Sequence, residues 1–393
     1  MTRVNPDNLR WARETAGLAE APAARKIGLN AARGVEAVDR LRALERGEQD
    51  PSRALLSRMA AAYRRPLLGF YLREPPRPAE RIDDFRTLPE RRPETEPLLQ
   101  ALVRDVRARQ ALVREILEED GASSLKTIGS RRRAEGPEAV ARAIAADIGF
   151  DLGRFRGTAS LDAAFDYLRE RAEASGVFVL LIGDLGSHHT EFGTEAFRGF
   201  ALADPLAPFI VINDRDARSA WAFTLLHELA HLWLGLSGVS GARGASAIER
   251  FCNDVASLVL LPMAEAAALQ LDPRQDTAQL AAAIARVASP LRLSRTLVAL
   301  RLYRAGVLTE DRWEELRARF RGEWREDRAR RKAERQGDGG PDFYVVRRQR
   351  LGRALVELVG RAVSEGALTP TKAGRVLGVK ARSVDTLLSG RAA

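Results

Sequence analysis

The chain has 393 residues, 45% of them hydrophobic, more than one ordinary domain needs and enough to bury at least one large core. No apolar run is long enough to span a bilayer, and the polar opening Met1–Trp11 fits neither a secretory signal nor an amphipathic transit peptide, so a cytoplasmic protein with no membrane partner is expected. The net charge of +10 admits a nucleic-acid partner, but 58 of the 63 basic residues are arginines in an alanine-crowded sequence, a bias that codon composition can explain without one.

Residues 5–73 read as a compact helical bundle. Asn5-Pro6-Asp7 offers a cap with proline in the first turn, followed by Leu9, Ala12, Ala16 and Leu18 at helical spacing. Further short helices fit Pro22–Ile27, stopped by Gly28, and Val35–Arg46, stopped by Gly47. A fourth follows the Asp50-Pro51-Ser52 cap through Leu55, Leu56, Met59, Ala60 and Tyr63. Short helices with tight turns suit a small DNA-binding bundle. Residues 74–97 contain Pro75, Pro76, Pro78, Pro89, Pro93 and Pro97 and read as a linker.

Residues 98–265 change character. Helices over about Leu98–Glu119 and Pro137–Ile148 precede three candidate strands, Val177–Ile182, Phe197–Ala203 and Phe209–Ile212. Two more helices follow, about Ala217–Leu236 and Ala245–Leu261, the second stopped at Pro262. This order suggests an α+β catalytic core. A helical extension covers 266–335, and its run Arg321–Arg335 carries both signs of charge, as a solvated helix does. After the break Gln336–Pro341, residues 341–393 read as a small helical module with helices at Leu351–Glu365, Pro370–Leu377 and Ala381–Leu388. Gly378 stands where the turn of a helix-turn-helix would fall. The expected fold is therefore mainly α with an α+β core, flanked by a helical N-terminal bundle and a helical C-terminal module.

The segment His227-Glu228-Leu229-Ala230-His231 carries the chemistry. Histidines four residues apart lie on one helix face and can aim at one ion. Glu228, about 100° round the helix from His227, is badly placed as a ligand but can reach a water at that ion and take its proton. The surrounding Phe223, Leu225, Leu226, Leu229, Leu232 and Trp233 are apolar, so the helix is expected to be buried, where histidines and a glutamate without partners would be costly. Glu249, 18 residues beyond His231 near the start of the next helix, is the candidate third ligand, and two histidines with one carboxylate form a known catalytic zinc set. A solvated carboxylate favoured by the helix dipole is the simpler alternative for Glu249. Asn253 shares its helix face and could orient a ligand. Cys252 lies on the apolar side and reads as a packed thiol; one cysteine excludes an internal disulfide. His188 and His189, in the polar loop Gly183–Gly193, read as solvent-facing.

These residues resemble the ImmA/IrrE family of metallopeptidases. The resemblance is carried by Phe223–His231, Ile248-Glu249-Arg250-Phe251-Cys252-Asn253 and Leu260-Leu261-Pro262, with Phe197-Arg198-Gly199-Phe200-Ala201 and Phe209–Asn213 similar to the family's core strands. Asp84-Phe85-Arg86-Thr87 resembles members bearing an N-terminal Xre-type helix-turn-helix. The resemblance implies a zincin-like core, one zinc ion held by His227, His231 and Glu249, and Glu228 as base. It also implies a limited cut in a partner helix-turn-helix repressor, switching on stress-response or mobile-element genes. A substrate segment could then add as a strand beside Arg198 and Gly199. In residues 5–73, Leu44-Glu45-Arg46-Gly47 replaces the usual tryptophan-glutamate, and Ala21-Pro22-Ala23-Ala24 lacks the glutamine that often anchors the phosphate backbone. Arg33, Arg40 and Arg42 are the available DNA contacts, or else solvated surface groups. Two rival functions remain: a helix-turn-helix regulator with a structural or sensory metal, and an interaction module retaining the helix as scaffold.

Overall fold

A computed structural model of the chain describes residues 3–76, 83–84, 96–186, 190–240, 247–334 and 342–390, and helices dominate it. The chain divides into two compact units, Met1–Ile82 with Arg91–Asp105, and Asp83–Glu90 with Val106–Ala393.

In the first unit, α1 (Pro6–Thr15) starts where Asn5 Oδ1 accepts the Asp7 amide at 3.0 Å. It is followed by α2 (Glu20–Lys26), α3 (Ala37–Glu45) and α4 (Arg53–Tyr63), whose cap Ser52 accepts the Leu55 amide at 3.2 Å. α2 begins two residues before the apolar pattern does, because Glu20 sits favourably in a first turn. Leu9, Ala12, Ile27, Leu41, Leu56, Met59 and Phe70 form the core. Inside it, Arg13 makes a two-pronged ion pair with Glu45 at 2.7 and 2.9 Å, with both side chains nearly inaccessible. The acid of Leu44-Glu45-Arg46-Gly47 thus ties α3 to α1. Arg13→Ala would strand that carboxylate, and a loss of about 3–5 kcal/mol is expected. Hydrogen exchange across α1 and α3 in wild type and variant checks this; unchanged protection would refute it.

The remaining helices and all the strands centre on the second unit. α5 (Glu96–Glu119), whose residues up to Asp105 count with the first unit, leads to α6 (Pro137–Asp147), α7 (Leu152–Arg156) and α8 (Leu161–Ala174). The strands are β1 (Asp83–Asp84), β2 (Phe178–Leu181), β3 (Gly199–Leu202), β4 (Phe209–Ile212) and β5 (Gly238–Ser240), in sheet order β1-β5-β3-β4-β2. β3 runs antiparallel to both neighbours, while β2 with β4 and β1 with β5 are parallel pairs. Every residue of β2, β3 and β4 is buried, which is why their sequences are continuous apolar runs rather than alternating ones.

α9 (Arg218–Trp233) packs on β3 and β4, with α6, α8 and α10 (Ala247–Leu260) around it. Trp233 Nε1 donates to Asp147 at 2.8 Å, fastening the end of α9 to α6. α11 (Met263–Ala268), α12 (Thr277–Ala288), α13 (Arg295–Arg304) and α14 (Glu310–Glu334) follow. No helix among the described residues is long and apolar enough to cross a membrane.

The C-terminal helices α15 (Phe343–Leu351), α16 (Arg353–Ser364), α17 (Pro370–Leu377) and α18 (Val384–Ser389) belong to this same unit, with α15 against β2 and α16 against α8. The expected single helix Leu351–Glu365 is broken at Gly352. That residue has φ +83°, and a Cβ there would meet Glu173 Oε1 at 2.1 Å. Glu173 instead accepts the Arg353 and Ala354 amides at 3.0 and 3.1 Å, capping α16 with a carboxylate. Arg169 pairs with Glu173 at 3.1 Å and reaches the Val179 carbonyl of edge strand β2.

Candidate metal centre

α9 follows a turn organised by Asn213, whose buried amide donates to the Phe197 carbonyl at 3.0 Å and whose Oδ1 accepts the Arg215 amide at 3.0 Å. From Trp221 to Trp233 the helix is buried at every position but Phe223, because it lies between the sheet and neighbouring helices. This burial puts the polar motif into an apolar core.

His227 and His231, one turn apart, bring their Nε2 atoms to 3.1 Å. Glu249, in the first turn of α10, places Oε2 at 3.4 Å from His227 Nε2 and Oε1 at 3.0 Å from His231 Nε2. The three ligand atoms lie within 4.8 Å of one another, and the residues are 4%, 0% and 1% exposed. Two imidazole nitrogens and a carboxylate converging at a buried point match the donor set of a divalent transition metal, and the cluster is compatible with a metal site.

The electrostatics agree with that chemistry. Burial works against the ionised form of Glu249, yet hydrogen bonds and charge from His227 and His231 hold its carboxyl down at about 2. Burial also depresses both histidines. In His227 the hydrogen bond and charge of Glu249 outweigh it, helped by Glu228 and by a hydrogen bond to Asn253, and the pKa ends above its ordinary value. In His231 burial and repulsion from His227 win, and the pKa ends below it.

Glu228 is fully buried on the same helix, its carboxylate lying against β3 at Gly199. Cys252 is buried beneath the site, its thiol pushed well up by desolvation, as suits a packed core residue.

Residues 185–303 match the family model of the IrrE N-terminal-like domain, Peptidase_M78. The match runs from the loop after β2 into α13 and contains His227, Glu228, His231 and Glu249. It supports the ImmA/IrrE metallopeptidase family for this region. No curated protein and no solved structure shows detectable similarity to the chain.

The other expected residues fall elsewhere. Both edges of β3 are taken, by β4 and by β5, with Gly199 opposite Ile212 and Ser240. A strand adding beside Arg198 and Gly199 would have to displace one of them. Arg198 instead forms an ion pair with Asp216 at 3.4 Å, just before α9. In the first unit, Arg42 bridges to Glu20 of α2 at 2.6 Å and to Asp39 at 3.1 Å, and Arg40 donates to the Asn30 carbonyl. Arg33 is exposed with φ +53°. His188, His189 and most of the proline-rich stretch lie outside the described residues. Sequence reasoning gave Gly199 a different role; its approach to Thr224 and Glu228, which lie one turn apart on α9, exists only through the tertiary fold.

Proposed function

We propose that the chain is a cytoplasmic zinc endopeptidase with a zincin-like core, which makes a limited cut in a partner helix-turn-helix repressor. The observation that carries this is the convergence of His227, His231 and Glu249 on one point, with the helix-borne carboxylate of Glu228 close enough to act on His227 through its charge. Under this reading those three residues hold the zinc, and Asn253 fixes the His227 ring through its hydrogen bond. When bound, the ion supplies Lewis-acid polarisation of the scissile carbonyl and a lowered pKa for the attacking water. Glu228 takes the proton from that water and returns it to the leaving amine, its buried position keeping the carboxylate from bulk solvent. Residues 5–73 act as an Xre-like module that meets DNA through Arg33, Arg40 and Arg42, and cleavage of the repressor relieves stress-response or mobile-element genes.

One observation favours a second reading. The near-complete burial of all three ligand residues also suits a structural or sensory metal in a transcription regulator. A structural site makes no use of Glu228.

The deciding test begins with elemental analysis of the purified full chain and its His231→Ala and Glu249→Ala variants. About one zinc per chain, lost or weakened in both variants, is the expected result for a three-ligand site. Absence of bound metal after zinc is supplied would overturn the proposal.

A further inference from the structure

Gly199 is a residue of β3 that faces α9, one turn of which carries Thr224 and Glu228. Its φ lies outside the left-handed region, so the backbone there would accept any L-residue. Space is what excludes a side chain. A Cβ on Gly199 would meet Glu228 Oε1 at 2.7 Å, Thr224 Cγ2 at 2.7 Å and Glu228 Cγ at 3.1 Å. Real Cβ atoms essentially never approach other atoms so closely, so one partner must move.

The strand is poorly placed to be that partner. Gly199 is held by ladder pairing on both sides, to Ile212 in β4 and to Ser240 in β5. α9 is fixed by its buried face and by the Trp233 bond to Asp147. Thr224 is β-branched and 5% exposed, so it has little rotamer freedom on a helix. The Glu228 carboxylate is the part of this contact with torsions left to change.

We infer that Gly199 is a positioning residue: its missing side chain leaves the seat in which β3 and Thr224 hold the Glu228 carboxylate beside the His227, His231 and Glu249 cluster. The inference rests on the reading of Glu228 as the base, but the seat itself is a matter of shape. Alanine at 199 turns the carboxylate away from β3 and out of reach of the water it serves. A side chain at this one position therefore meets the base first: the three atoms nearest its Cβ belong to Glu228 and Thr224, none to a ligand residue.

Two measurements on the full chain test this, and neither needs the substrate. The first is a double-mutant cycle in metal-free protein, read by thermal melting, of Gly199→Ala and Glu228→Ala. Because the two side chains compete for one space, Gly199→Ala should lower the melting temperature by several degrees in wild type and by less than half as much in the Glu228→Ala background. Equal costs in both backgrounds would overturn the seat. If Gly199→Ala alone does not fold and the double variant does, the coupling is confirmed in its extreme form; if neither folds while Glu228→Ala does, it is refuted.

The second separates positioning from a purely structural role. Cobalt is loaded in place of zinc, and its visible absorption is followed against pH in wild type, Gly199→Ala and Glu228→Gln. The alanine variant should bind as much cobalt as wild type, with its spectral titration moved toward that of Glu228→Gln. A wild-type titration in Gly199→Ala, with Glu228→Gln displaced, refutes positioning. Failure of wild type to bind cobalt would instead sink the metallopeptidase reading, and the melting cycle would still decide the seat.

Discussion

Under the proposed function, Glu228→Gln is expected to lower cleavage of the partner repressor steeply while leaving zinc content unchanged. Glutamine keeps the volume of the side chain and its fit against Gly199 and Thr224, so the buried surroundings need not rearrange. It removes only the capacity to accept a proton. A positioned general base contributes about 10²–10⁴ in rate, and a loss in that range is expected in kcat. KM should change little, because Glu228 is assigned to the water rather than to the peptide. The measurement is a time course of repressor cleavage by wild type and variant, with elemental analysis of the same preparations. Retained cleavage would remove Glu228 from the mechanism. Lost cleavage with lost zinc would mean that the variant had disturbed the ligand set.

Some of this was legible in the chain and some was not, for physical reasons. The i, i+4 spacing of His227 and His231 can only put both rings on one helix face, and the apolar residues around them can only belong to a buried helix. Those are local facts, and the helix Arg218–Trp233 carries them as expected. Glu249 converges with them because α10 packs against α9, which the sequence suggests only through a second amphipathic helix. β2, β3 and β4 are visible as apolar runs, whereas β1 and β5 have two and three residues, too few to show a period. The sheet order was hidden for the same reason, and with it the fact that β3 has no free edge. The docking of the C-terminal helices draws on Arg169 and Glu173, whose side chains the fold buries, and on the partly exposed Arg350, all charged residues that read as surface groups in the sequence. Arg350 reaches Asp214 at 2.7 Å and Asp184 at 3.2 Å, joining the ends of β4 and β2 across a long stretch of sequence. The role of Gly199 is invisible in sequence because nothing adjacent in the chain requires glycine there.

Glu249→Ala carries the other large expected effect, and it divides a metal centre from a histidine-bearing core. The carboxylate faces both histidines, at 3.4 and 3.0 Å, so its removal takes away one of three ligands and the charge that favours a cation between them. Zinc retention through dialysis should fall from about one per chain to a small fraction. The pH dependence of metal binding has a definite sign. His227 must be deprotonated to bind, and its metal-free pKa lies above the ordinary histidine value, so protons begin to compete above pH 6.5 and affinity declines as pH falls through that region. Glu249, held at about 2, stays ionised throughout and adds no pH dependence there. Bound zinc should raise the melting temperature of wild type, by mass action, and leave that of Glu249→Ala nearly unmoved. Thermal melts with and without zinc across pH 5–8 read both effects. A metal-induced shift that survives the alanine would place the ion elsewhere, and a shift independent of pH would take His227 out of the ligand set.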